Sequence, residues 1–156
     1  MHEIINGLLT LLSGSITSTG RERSQIDFTT MHPKDIEDSK KARVNIFPYY
    51  VNEDTDLRNR RGPVTDSSQN LDCHCMVTAY AGNDLLAELM LLDEVRCLLV
   101  EKPILTAQGG QTVLSISMID KSPDDLANLW QALQTPLRPG LHYLVKRRAA
   151  TRGRIE

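Results

Sequence analysis

The tripeptide Cys73-His74-Cys75 brings together three side chains of the types that bind transition metals. It lies in an alternating pattern typical of a β-strand, so the two thiols share one face and the imidazole lies on the other. So short a strand cannot supply three ligands of a tetrahedral site without a turn, and no second Cys/His cluster follows nearby. We therefore expect a structural core strand here, with no metal and no cofactor.

The remaining residues of catalytic type do not form a recognisable motif. The four histidines are scattered at positions 2, 32, 74 and 142, and no G-x-S-x-G motif is present. Gly109-Gly110 is not followed by the Gly-Lys-Ser/Thr of a P-loop. The carboxylates Asp124 and Asp125 follow Ser122 and Pro123, so helix capping and the helix dipole explain them. The sequence thus predicts no enzyme; a small α+β hydrolase stays open as an alternative from another class.

Clusters of basic residues are the features least explained by packing. One cluster lies in the long polar segment 52–69 and consists of Arg58, Asn59, Arg60 and Arg61. The other lies at the C-terminus and consists of Lys146, Arg147, Arg148, Arg152 and Arg154. Together with Glu156, the basic residues of the second cluster give the last eleven residues a charge of +4. The net charge of the chain is −2, so residues 1–145 carry a charge of −6.

Arginine is suited to bidentate contacts with carboxylates, so we predict that both clusters contact a neighbouring subunit or another acidic surface. A solvated loop tip and a frayed terminus are the alternative interpretations. The negative net charge and the lack of interleaved aromatic residues argue against nucleic acid as the partner. A nucleic-acid-binding connector would require affinity that falls steeply with salt.

The hydrophobic pattern predicts an α+β domain with a mixed, mostly antiparallel sheet covered by helices. Helices are expected at residues 3–13, 84–101 and 122–134, and strands near 26–28, 44–51, 71–81, 113–118 and 141–147. Trp130 is expected in the core, and Pro48 is expected at a sheet edge or a bulge. We assign residues 1–146 to a single domain and residues 147–156 to a basic tail. The two apolar stretches of the chain run from Ile4 to Leu12 and from Leu85 to Val100. Neither reaches the roughly 20 apolar residues of a membrane span, so no membrane span and no targeting segment is expected.

Four segments in order resemble the N-terminal domain of the cap proteins of extracellular contractile injection systems. These are the phage-tail-like machines of the antifeeding-prophage and virulence-cassette type. The segments are Tyr50-Val51-Asn52-Glu53 with Leu57-Arg58-Asn59; Leu71 to Tyr80; Leu91-Leu92-Asp93 with Glu101 to Leu105; and Leu129-Trp130-x-x-Leu133 with Pro136 to Tyr143. They cover roughly residues 40 to 146. The chain departs from the family at Phe47-Pro48, at its two strand cysteines and at Gly140.

This resemblance implies a tail-terminator-like fold and a homohexameric ring. It implies that the ring ends the inner tube, contacts the last layer of the sheath protein and is assembled in the bacterial cytoplasm as part of a phage-tail-like particle. The expected partners are further copies of the chain, the tube protein and the sheath protein, with no small-molecule substrate and no membrane. A baseplate or connector component of the same machine is the alternative among assembly proteins.

Overall fold

A single sheet organises the chain. The computed structural model describes residues 1–16, 25–36, 41–53, 70–106 and 112–149. Within these ranges the strands are β1 (Ile26–Thr29), β2 (Ala42–Glu53), β3 (Leu71–Tyr80), β4 (Ile104–Thr106), β5 (Thr112–Met118) and β6 (Gly140–Ala149). Their order across the sheet is β1-β2-β3-β6-β5-β4. β1 is parallel to β2, and all other neighbours are antiparallel, so the predicted α+β class with a mixed, mostly antiparallel sheet is confirmed.

The N-terminal helix α1 (His2–Ser15) covers one face of the sheet. Ile4, Leu8 and Leu12 recur every four residues, so they form one stripe, and all three are buried. This packing leaves little room for a side chain at position 7, because a Cβ added to Gly7 would lie 2.9 Å from Cδ1 of Leu114 in β5. The glycine that weakens the helix in isolation therefore permits its close approach to the sheet.

The long helix α2 (Leu85–Glu101) lies on the same face and completes the main core. It begins at Asp84, whose side chain accepts a hydrogen bond of 3.1 Å from the backbone N–H of Ala87. Its buried apolar residues are Leu91, Leu92, Val95 and Leu99. Leu85, Leu86 and Leu89, which open the apolar pattern of this helix in the sequence, lie outside the core. No helix in the described ranges is both long and apolar enough to cross a membrane.

The short helix α3 (Pro123–Ala132) packs on the opposite face of the sheet. Ser122 caps it: its Oγ accepts from the N–H of Asp125 at 3.1 Å and donates to Oδ2 of the same residue at 2.8 Å. Trp130 is 2% exposed and forms a second, smaller core with Met76 and Leu133. The predicted burial of Trp130 is therefore confirmed, and the sheet has apolar packing on both faces.

Pro48 lies in the middle of β2, which is tolerated for two reasons. The register between β2 and β3 shifts between Pro48 and Tyr50, which is the predicted bulge. β1 pairs only with residues 42–45, so Pro48 lies beyond the part of β2 that has β1 as its neighbour. A residue without an N–H therefore breaks no pairing with β1 at this position.

The last strand is longer than the sequence predicts. β6 runs to Ala149, and its register pairs Arg147 with Leu114 and Arg148 with Val113 of β5. The boundary predicted between residues 146 and 147 therefore falls inside a strand, and Arg147 and Arg148 belong to the sheet. The three-residue edge strand β4 was not predicted, because a run that short has no readable periodicity.

Candidate functional site

The Cys73-His74-Cys75 segment is built as a core strand. Cys73 and Cys75 are 0% exposed and face the main core, while the His74 ring contacts Tyr49 and Tyr50 on the other face. Burial raises the pKa of both thiols, so they stay protonated and are poor nucleophiles or ligands. The described part of the chain contains no group of three His, Cys, Asp or Glu side chains that could hold a metal ion. The prediction that the two thiols lie on one face of the strand and the imidazole on the other is confirmed.

The basic end of β6 forms ion pairs within the chain. Nη2 of Arg148 lies 2.9 Å from Oδ1 of Asp72 on the neighbouring strand β3, and Nζ of Lys146 lies 3.9 Å from the other carboxylate oxygen. Nε of Arg147 lies 3.3 Å from Oε2 of Glu3 in α1. These contacts tie the ends of two central strands and the first helix together, so these three basic residues have a structural role in the chain itself.

The other predicted contact residues lie outside the described residues. They are Arg58, Asn59, Arg60, Arg61, Arg152 and Arg154. The assignment of all nine predicted residues, including Lys146, Arg147 and Arg148, to contacts with other chains stays a prediction. The structure brings Lys146, Arg147 and Arg148 together with acidic partners at one end of the sheet.

An aromatic and histidine cluster covers part of the second face of the sheet. The Tyr49 ring lies 5.9 Å from the His142 ring and 6.2 Å from the His74 ring, and Nζ of Lys121 lies 5.4 Å from the Tyr49 centroid. Tyr50 lies 5.3 Å from His74 and is 55% exposed, so the cluster reaches the surface. Sequence reasoning missed this cluster, although His74 and His142 both alternate with core residues on predicted strands.

The charges in this cluster are suppressed by burial. Desolvation, with a smaller contribution from Lys121, lowers the pKa of His142, which is 5% exposed. Desolvation and Lys121 also lower the pKa of His74, against an opposing effect of Asp72. Burial raises the pKa of Tyr49 to about 12. Both imidazoles are therefore mainly neutral near pH 7.

A buried ion pair fixes the start of α2. Oε1 of Glu88, which is 4% exposed, accepts a hydrogen bond of 2.6 Å from Nη2 of Arg138 and one of 3.2 Å from the backbone N–H of Ala81. The guanidinium of Arg138 also lies 4.3 Å from the centroid of the Tyr80 ring. The end of β3, the start of α2 and the loop before β6, which is 50 residues away, thus meet at one carboxylate. The helical pattern concealed Glu88, because an acidic residue in a first helical turn is ordinary there.

A groove of 640 Å³ runs between α1 and the β4–β5 edge. Its lining includes His2, Glu3, Asn6 and Thr10 of the helix and Leu105 of β4. Glu3 is engaged by Arg147, whose Nε lies 3.3 Å from Oε2 of the carboxylate.

One of the comparisons with known proteins identifies a family. A family model described as the Pvc16 N-terminal domain matches residues 3–151, which is nearly the whole chain. A search of curated proteins gave no match.

Two solved structures share the fold over almost the entire chain. One is the PVC sheath/tube terminator, in its extended state, of an extracellular contractile injection system; it matches with a TM-score of 0.70 at 19% identity, over 100% of this chain and 58% of that one. The other is the tube-terminating cap of the anti-feeding prophage, with a TM-score of 0.68 at 15% identity, over 97% of this chain and 55% of that one. This chain thus spans somewhat more than half the length of these two proteins. At such identities the likeness shows the fold.

Proposed function

Because the chain belongs to the Pvc16 N-terminal domain family, we propose that it is a structural cap of a contractile, phage-tail-like injection system. In this role it ends the inner tube and contacts the terminal layer of the sheath. Its work is binding and assembly, without catalysis and without a cofactor. It joins the particle in the bacterial cytoplasm.

The observation that carries this proposal is the shared fold of the whole domain. The sheet and its helices superpose on the PVC terminator with a TM-score of 0.70, and the family model covers the same residues. A fold by itself hosts many functions, so the family match is the necessary second support. The surfaces described above are of the kind that contact requires, since they combine exposed apolar side chains with ion-paired basic residues.

A homohexameric ring is the assembly that we propose for the cap. A ring needs a head-to-tail contact in which two different surfaces of the chain meet, and it closes when the rotation between neighbours closes. Charge supports such a contact, because Arg152 and Arg154 follow the residues of β6 that are ion-paired within the chain and can meet an acidic surface of the next copy, whose net charge is −2. We assign Arg58, Asn59, Arg60 and Arg61 to the contacts of this ring or of the tube and sheath, with Arg152 and Arg154.

The test is growth of the tube in the presence of the chain. The tube protein of the same machine is polymerised with and without this chain, and tube lengths are measured by negative-stain electron microscopy with the chain gold-labelled. We expect label at one end of each tube, the end distal to a bound baseplate, and tubes that stop lengthening. Label at the baseplate end would favour the baseplate component, and an absence of label with unchanged growth would refute both roles.

A charge variant tests the assigned contact residues in the same assay. Replacing Arg58, Arg60 and Arg61 by glutamine should reduce end labelling, since a contact residue loses its bidentate hydrogen bonds. The matched control is Lys34→Gln, at an exposed lysine whose Nζ donates a hydrogen bond of 2.9 Å to Oε1 of Gln134. Equal labelling by both variants and the wild type would refute the assignment of this cluster.

A further inference from the structure

The outward face of α2 is apolar toward both of its ends. Leu86, Leu89, Met90 and Val100 are between 43% and 69% exposed, and Cys97 is exposed beside them. The opposite face of the same helix is buried in the main core. A helix that is apolar on both sides is normally covered on both sides, and an exposed apolar patch of this kind marks an interaction site.

The exposed positions form a regular seam. Residues 86, 89, 93, 96 and 100 are separated by steps of three and four, which is the spacing of a helix that packs against another helix. The seam is about 21 Å long at 1.5 Å per residue. Its centre is charged: Asp93 and Arg96 pair with each other, and Nη2 of Arg96 lies 2.9 Å from Oδ1 of Asp93.

We infer that this seam docks on the same seam of a second copy of the chain, with the two helices antiparallel about a two-fold axis between Asp93 and Arg96. In that register Asp93 lies opposite Arg96 of the second copy, and this contact occurs twice. The same register places Leu89 opposite Val100 of the second copy, again twice. The seam is therefore complementary to itself in both charge and polarity, which is what a two-fold contact requires.

The order of charges along the seam favours a second copy over another occupant. Asp93 and Arg96 lie side by side between the two apolar ends of the seam. A partner surface without charges would remove both side chains from water and offer neither of them an opposite charge. A second copy supplies one opposite charge for each and turns two exposed pairs into a four-residue network. A two-fold contact uses one face on both copies, so this dimer is a state of the free chain and is separate from the head-to-tail ring.

The test uses charge reversal at the centre of the seam. Sedimentation and light scattering measure the mass of the wild type over a concentration series, and we expect a dimer. In the Asp93→Arg variant, the new arginine of each copy faces Arg96 of the other copy. In the Arg96→Asp variant, the new aspartate of each copy faces Asp93 of the other copy. Each variant should raise the dissociation constant roughly tenfold or more, because like charges then face each other across the contact. An equimolar mixture of the two variants restores both opposite-charge contacts and should dimerise again.

A second pair of variants tests the apolar part of the seam. Leu86→Ser should weaken the dimer, whereas Leu137→Ser should not, since Leu137 is 63% exposed but lies in the loop before β6. Far-UV circular dichroism melts verify that all variants are folded. A wild type that stays monomeric at its highest soluble concentration, or that forms only a hexamer whose mass the charge variants leave unchanged, would overturn the inference. So would variants that retain the dimer, or two charge variants whose mixture stays monomeric. None of these results depends on the tube assay, so the two proposals fail independently.

Discussion

Replacing Arg138 by methionine should destabilise the domain through the carboxylate that it leaves behind. The side chain of Glu88 is 5% exposed, and Arg138 is its charged partner at 2.6 Å. Methionine keeps much of the apolar stem of arginine but removes the guanidinium. Glu88 then retains the N–H of Ala81 as a hydrogen-bond donor, at 3.2 Å, but loses its countercharge.

The magnitude follows from the burial of the two partners. Removing one partner of a fully buried ion pair costs about 3–5 kcal/mol. The side chain of Arg138 is 23% exposed, so water can reach the vacated position, and we expect roughly 2–3 kcal/mol. Loss of the cation–π contact with Tyr80 adds about 0.5–1 kcal/mol. For a chain of this length the total of about 3 kcal/mol corresponds to a melting temperature lower by roughly 6–12 °C.

The assay is urea unfolding followed by circular dichroism, on four variants and the wild type. Glu88→Gln alone should cost about 1–2 kcal/mol, because it loses the ion pair but the charge that remains, the guanidinium of Arg138, is 23% exposed and stays in contact with water. The double variant with Arg138→Met should be more stable than Arg138→Met alone, since the unpaired carboxylate is then absent. Lys34→Met, at an exposed position outside these contacts, is the control and should change the free energy of unfolding by less than about 0.5 kcal/mol. A loss below about 0.5 kcal/mol for Arg138→Met, or a double variant less stable than this single variant, would refute the reasoning.

Three further predictions concern the second core, the last strand and the buried histidine. Trp130→Ala should cost about 3–5 kcal/mol in urea unfolding because the side chain is 2% exposed, while Leu137→Ala, at an exposed position, should be nearly neutral; equal losses would contradict this. A chain ending at Ala149 should unfold at the wild-type urea concentration. One ending at Lys146 loses three strand residues and two ion pairs and should be less stable by roughly 2–3 kcal/mol; equal stability would mean that these residues do not contribute. Because the folded-state pKa of His142 lies below its unfolded value of 6.5, the unfolded chain binds more protons as pH falls below 6.5. Stability should therefore be unchanged by this group above pH 7 and should fall below pH 6.5 by at most about 1.4 kcal/mol per pH unit, until the folded pKa is reached. His142→Phe should flatten that slope, and an unchanged slope would contradict the assignment.

The elements of this domain were largely readable from local pattern. Apolar and polar residues alternate along β3 and β6, which predicts these strands and their buried positions. Apolar residues recur every three or four positions in α1 and α3, which predicts these helices. Ser122 and Asp84 mark the helix starts because capping depends on residues within one turn. The contacts at Glu88 were not readable, since its partner Arg138 lies 50 residues away and only the fold brings the two together.

For the predicted contact residues, too, the sequence shows the charge and the fold decides the partners. Composition alone shows that the C-terminal residues are basic, but the register of β6 decides that Arg147 and Arg148 lie in the sheet and pair with Glu3 and Asp72. These acidic partners come from α1 and β3, so no window along the chain contains them together.

By itself the sequence determined the class of the fold, the position of most helices and strands, and the family to which the chain belongs, because these depend on residue type and spacing along the chain. Only the tertiary structure decided which of the two apolar sides of α2 faces the core. Both sides satisfy helical periodicity equally well, and the choice is made by packing against strands that are distant in sequence. The side left outside, with Leu86, Leu89 and Val100, is therefore the surface available to a partner.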